Sequence, residues 1–169
     1  MTKDESIINS FINSDIIVTG GSGLIGSQIV DMLCNYGANV KIVSLDNIKN
    51  DYRAEYIYGD LTDFNLCKEI TKDINYVFHV AGIKGNTEVT KTKPASFFVS
   101  LLQMNTNILE ACRINDVEKV VYTSSIGAYA PSDIFRESDY FIDSQQMDSY
   151  PGYAKRMAEL QIKEYKINK

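Results

Sequence analysis

At 169 residues the chain fits a single domain that buries roughly 70% of its unfolded surface, so a layered core needs no metal or disulfide staple. Its 22 acidic against 17 basic residues, a net charge of -5 and the lack of any Lys/Arg stripe exclude the clustered positive charge that phosphate backbones demand, so no nucleic-acid partner is expected. One histidine leaves a metal site short of ligands, so no metal is expected. Three scattered cysteines without CxxC spacing or a leader suit a reducing cytosol. No run reaches the roughly 18 apolar residues of a membrane span, so the expectation is a soluble, cytoplasmic protein without a membrane partner.

Residues 1–14 are a polar lead-in, and residues 15–169 form the domain. Asp15 to Thr19 is a β-branched apolar run that stops at glycine and predicts a buried strand. From Gly23, Ile25, Ile29 and Leu33 recur at four-residue spacing until Gly37, which predicts a helix. Asn39 to Leu45 and Glu55 to Tyr58 read as the second and third strands, with Thr62 as N-cap of a helix through about Lys72. Asn75 to Val80 is the fourth strand. Pro94 opens a long helix whose stripe is Phe97, Leu101, Met104, Ile108 and Cys112, and Lys119 to Thr123 is the fifth strand. A polar stretch from Pro131 to Ser149 precedes a last helix from about Pro151 to Tyr165. Cys34, Cys67 and Cys112 fall on helices, where they read as small core hydrophobes.

Alternating strands and helices imply α/β architecture, a doubly wound parallel sheet in three layers with right-handed crossovers. Ligands of such sheets lie beyond the carboxyl ends of the strands where the winding reverses, here between the first and fourth strands.

Thr19-Gly20-Gly21-Ser22-Gly23-Leu24-Ile25-Gly26 sits at the end of the first strand. Gly20 and Gly23 permit a tight turn and close approach to a pyrophosphate, and Gly26 lets the helix pack on the strand. The helix start at Leu24 and Ile25 supplies amide donors and a favourable dipole. A tight βα turn alone is the alternative. Asp46 ends the second strand 20 residues past Gly26, with Asn47 next to it. Its carboxylate accepts from ribose hydroxyls and repels a 2′-phosphate, so the expected dinucleotide is NAD rather than NADP; a turn aspartate is the other reading.

With Gly59-Asp60-Leu61, His79-Val80-Ala81-Gly82, Asn107-Ile108-Leu109-Glu110-Ala111 and Tyr122-Thr123-Ser124-Ser125 added, the sequence resembles the extended short-chain dehydrogenase/reductase superfamily, in particular the NAD-dependent sugar-nucleotide epimerases and dehydratases. The resemblance implies a Rossmann-type fold. It implies that Asp60 bonds the adenine amino group beside Leu61, that Ala81 and Gly82 run along the cofactor, and that Thr123 and Lys155 border it. For Asp60 a turn role stays open, for His79 a buried structural role is preferred, and for Lys84 a solvated loop position.

The resemblance also implies a serine that holds the reacting hydroxyl, a tyrosine that takes its proton and a lysine one turn later that lowers the tyrosine pKa. Ser125 and Lys155 match, but the position four residues before Lys155 is Pro151. Tyr153 points about 200° away on a helix. Tyr150 is the candidate replacement: with Pro151 as the first helical residue, it becomes a non-helical cap whose ring can swing to the site, the alternative being an exposed loop aromatic.

Extended members carry a sixth strand and a C-terminal substrate region, and this sequence stops at Lys169 before either. A homodimer through helices 94–115 and 151–166 is expected by the same analogy. The expected function is NAD-dependent epimerase or dehydratase chemistry on a nucleotide sugar by transient oxidation of a hydroxyl. A truncated or non-catalytic NAD-binding module, and a ketone or aldehyde reductase, are the alternatives.

Overall fold

A computed structural model describes residues 3–83, 88, 92–140, 144–147 and 149–167. The elements in chain order are α1 (Lys3–Asn9), β1 (Asp15–Thr19), α2 (Leu24–Asn35), β2 (Asn39–Ser44), β3 (Glu55–Tyr58), α3 (Phe64–Ile70), β4 (Tyr76–His79), α4 (Pro94–Ile114), β5 (Lys119–Tyr122) and α5 (Ser149–Ile167). Single 3₁₀ turns lie at Ile126–Ala128, ahead of the polar stretch, and at Glu137–Asp139 within it.

The five strands form one parallel sheet in the order β3-β2-β1-β4-β5. Winding therefore reverses between β1 and β4, as expected. Strand alternation sends Ile16 and Val18 to one face and Ile17 to the other, and all three are fully buried. The first face meets Val30 and Leu33 of α2, together with Val40 and Ile42. On the opposite face, Val43, Val77 and Ile17 pack with Leu101, Ile108 and Leu109 of α4 and with Ala154 and Ala158 of α5. Burial of both faces explains why the strands read as continuous apolar runs rather than as alternating ones.

Within the polar lead-in, α1 runs toward Phe11, whose ring packs near Tyr36, Tyr76 and Phe78. Three local expectations are corrected. In α2 the buried positions are Gly26, Val30 and Leu33, while Ile25 is exposed, because Gly26 rather than Ile25 faces the sheet. Asp63, not Thr62, caps α3, its Oδ1 accepting from the amides of Asn65 at 2.8 Å and Leu66 at 3.4 Å. Finally, α5 starts at Ser149, which leaves Pro151 in the first turn, where its missing N–H costs no intrahelical bond.

Cys67 and Cys112 are buried and Cys34 is half-buried, all three free. Burial pushes the thiols of Cys67 and Cys112 up to about 12, which keeps them protonated and inert.

Candidate functional site

The turn after β1 is built for close packing. Gly20 adopts φ +68°, and a Cβ there would sit 2.8 Å from the Ala81 Cα. A Cβ on Gly26 would strike the Gly20 carbonyl oxygen. These two glycines let β1, α2 and the segment after β4 meet. Gly23 and Gly82 differ: a Cβ on Gly23 would meet only the Gly20 oxygen at 3.2 Å, and one on Gly82 would meet nothing within 4 Å. Among the described residues the space beside Gly82 is left unfilled, while beside Gly23 only the backbone of its own turn approaches, as a cradle for a pyrophosphate requires. No side chain caps α2, so its first amides, including those of Leu24 and Ile25, point outward without an intrahelical partner.

That space opens into a cavity of about 650 Å³ walled by Gly20, Ser22, Gly23, Asp46, Asp60, Leu61, Ala81 and Gly82, among others. Ser22 and Ser44 lie Oγ to Oγ at 2.8 Å, Ser44 Oγ accepts the Asp46 amide at 3.1 Å, and Ser22 Oγ reaches Asp46 Oδ2 at 3.5 Å. The two serines thus hold the Asp46 carboxylate over the glycine turn. Asp60 accepts the Thr62 amide at 2.9 Å, so it has its turn role while also lining the cavity. Asn107 of α4 donates to the carbonyls of Leu61 at 3.0 Å and Thr62 at 2.9 Å, fixing this loop to the helix.

Leu24, Ile25, Gly26 and Asn47 lie outside that wall, and the Leu24 side chain is 88% exposed. Lys84 lies outside the described residues. Missing from the expectations is the α4 side of the cavity: Lys93, Ser96, Phe97, Ser100, Gln103 and Met104. Its signal was present in the sequence, because polar residues at 93, 96, 100 and 103 recur at helical spacing beside the apolar stripe.

Beneath the cavity runs a buried polar chain. The Thr19 hydroxyl oxygen accepts the Ala81 amide and shares the Val80 amide with its own carbonyl, both at 3.2 Å to Oγ1. Its lone pairs being so engaged, its proton aims at His79 Nδ1, 2.7 Å away. His79 is then the Nε2–H tautomer, donating to Asn105 Oδ1 at 2.9 Å, and Asn105 Nδ2 donates to the Tyr122 phenol at 3.2 Å. Burial lowers the His79 pKa to about 4, with the Lys155 charge adding to the drop and the Asn105 bond opposing it. The structural role preferred for His79 is the one observed.

Lys155 sits at the far end of this chain. Its ammonium donates to the Thr123 carbonyl at 2.7 Å and lies 4.8 Å from the centre of the Tyr122 ring. Burial lowers its pKa, against the Glu159 carboxylate. Lys155 and Thr123 are therefore brought together. The β4–β5 register pairs His79 with Tyr122, so Ala81-Gly82 and Ser124-Ser125 leave the sheet side by side.

Ser125 lines a second cavity, of about 440 Å³, with Ser124, Ile126, Tyr129, Glu137, Tyr140 and Glu159. Its hydroxyl accepts the Gly127 amide at 3.1 Å. Tyr150 is in neither cavity wall. Because α5 begins at Ser149, Tyr150 is helical rather than a free cap residue and lies about 140° around the helix from Lys155. Its ring is half exposed and rests 5.8 Å from that of Phe98.

Fold, switch-point crevice and glycine turn together define a dinucleotide-binding α/β domain. The sequence matches the NAD dependent epimerase/dehydratase family over residues 16–168, and the chain belongs to that family. It is 32% identical over 161 residues to a putative UDP-glucose 4-epimerase of Methanocaldococcus jannaschii, covering 89% of this chain and 50% of that one. An epimerase of Methanothermobacter thermautotrophicus superposes with a TM-score of 0.80 at 25% identity over 95% of this chain and 49% of its own. The UDP-glucose 4-epimerase of Thermus thermophilus in complex with NAD does so with a TM-score of 0.75 at 26% identity, over 91% and 51%. The chain spans about half the length of each of these relatives.

Proposed function

We propose that this chain is the NAD-binding part of a nucleotide-sugar epimerase or dehydratase that acts by transient oxidation of a sugar hydroxyl. The observation that carries the reading is the 650 Å³ crevice at the β1/β4 switch point, walled by Gly20, Gly23 and Gly82, where no described residue fills the space beside Gly82. Gly20, Gly23 and the amides of Leu24, Ile25 and Gly26 would hold the pyrophosphate. Asp46, with Asn47 beside it, would bind the adenosine ribose, Asp60 and Leu61 the adenine, and the Ala81-Gly82 backbone would run along the cofactor. Thr123 and Lys155 would border the nicotinamide ribose, and Ser125 would hold the reacting hydroxyl. When bound, NAD supplies the hydride acceptor; the chain supplies orientation and proton transfer.

Related proteins named UDP-glucose 4-epimerases make UDP-glucose the first substrate to try. The half-exposed rings of Tyr150 and Tyr153 and the Met157 side chain on α5 support pairing of two copies through α4 and α5, and the unpaired cysteines support a cytoplasmic location. Isothermal titration of the 169-residue chain with NAD, NADP and UDP-glucose tests the reading. NAD binding that exceeds NADP binding, with UDP-glucose taken up by the NAD complex, is the expected result. NADP preference refutes the assignment of Asp46, and NAD binding without any sugar nucleotide leaves a cofactor-binding module.

A further inference from the structure

Pro151 removes the phenol from the position four residues before Lys155, and the helical geometry of α5 turns Tyr150 away from that lysine. A different tyrosine stands at the Ser125 cavity. Tyr140 lines it, and its hydroxyl donates to Glu159 Oε2, while Ser124 donates to Oε1 of the same carboxylate. The Tyr140 ring is clamped: Tyr129 packs edge-on at 5.0 Å and the Arg156 guanidinium lies 5.3 Å from its centre. Arg156 is itself fixed by bonds to the Ala128 carbonyl at 2.7 Å and the Ser144 hydroxyl at 2.9 Å.

We infer that Tyr140, backed by Glu159, is the proton-transfer residue of this chain and takes the place of the tyrosine that Pro151 displaces. The inference rests on the oxidation chemistry proposed above. In the forward step the substrate's hydroxyl O–H breaks and its proton joins the Tyr140 oxygen, as the Tyr140 proton moves to Glu159 Oε2. The carbinol C–H leaves as hydride to the nicotinamide of NAD, and C=O forms. Reversal of both transfers returns the proton and the hydride to the sugar. An unassisted phenol is a poor base here, since burial, with the Glu159 bond and charge adding to it, raises the Tyr140 pKa; the carboxylate as final acceptor removes the need for a free phenolate. The nearby Arg156 charge favours the developing negative oxygen, as a neighbouring lysine does in the Tyr-x-x-x-Lys arrangement.

The test uses the whole chain with NAD and UDP-glucose. Tyr140→Phe is expected to keep NAD affinity within about twofold, by calorimetry, while slowing single-turnover absorbance change at 340 nm by about 100-fold or more. Glu159→Gln is expected to slow it comparably while keeping NAD affinity within about twofold. A Tyr140→Phe rate within threefold of the parent, or loss of the step only in Tyr150→Phe, overturns the inference. A second readout needs no turnover: with ¹³Cζ-labelled tyrosine, the resonance absent from Tyr140→Phe is expected to move when UDP-glucose joins the NAD complex. If both ligands bind and that resonance stays put, the inference fails while the proposed function stands; if neither ligand binds the parent, both fail.

Discussion

Replacing the single histidine turns the buried polar chain into a measurement. His79 has no exposed surface and a pKa lowered to about 4, against 6.5 for a free imidazole. The unfolded chain therefore binds a proton between pH 6.5 and 4 that the folded chain refuses. Stability from this group is complete above pH 6.5 and is lost as pH falls toward 4, by about 3 kcal/mol in all and about 2 kcal/mol by pH 5. The lowered carboxyl groups of Asp51, bonded by Arg53, and Glu110, bonded by Arg113, lose their contribution at lower pH, below their ordinary values of 3.8 and 4.5. Between pH 7.5 and 5 the slope thus belongs chiefly to His79. Urea denaturation at half-unit pH steps should show it in the parent and not in His79→Gln. If the variant fails to fold, an NMR titration of the lone imidazole gives its pKa directly and ¹⁵N shifts report the Nε2–H tautomer. A parent whose stability is flat over this range, or an imidazole that titrates near 6.5, refutes the reasoning.

Two glycines separate packing from binding. Gly26→Ala forces its methyl onto the Gly20 oxygen and should lower stability by about 2 kcal/mol or more in denaturant, whereas Gly82→Ala should fold like the parent and weaken NAD binding in calorimetry. Asp46→Ala should weaken NAD by about 10-fold and narrow the gap to NADP, and equal loss for both cofactors would count against a ribose contact. For α3, Asp63→Ala should cost about 1 kcal/mol and Thr62→Ala clearly less, read from thermal midpoints.

The sheet was legible because its strands are short apolar runs bounded by glycine and turn residues, and β1 and β3 fall where the pattern puts them. The switch point then follows from winding rules alone. Less visible was whatever depended on tertiary contacts. The seven residues of α1, with only Ile7 and Ile8 apolar, gave no periodic stripe, and two adjacent capping residues, Thr62 and Asp63, compete on local chemistry that sequence does not rank. Gly20, Asp46, Asp60 and Ala81 were expected at one crevice because each follows a strand, and all four line the same cavity. Tyr140 and Glu159 were not singled out, because they stand 19 positions apart with Glu159 on α5, and only folding brings phenol to carboxylate.

The polar chain beneath the crevice also restricts how this site can change by descent. Thr19, His79, Asn105 and Tyr122 each satisfy the next in one direction of donors and acceptors, so a lone replacement strands a buried partner. Thr19 is expected to tolerate serine but not valine, and His79 only a side chain such as glutamine that both accepts from Thr19 and donates to Asn105. Variation at these four positions should therefore arrive in matched sets, which ties the history of the turn under the cofactor to that of the strand leading to Ser125.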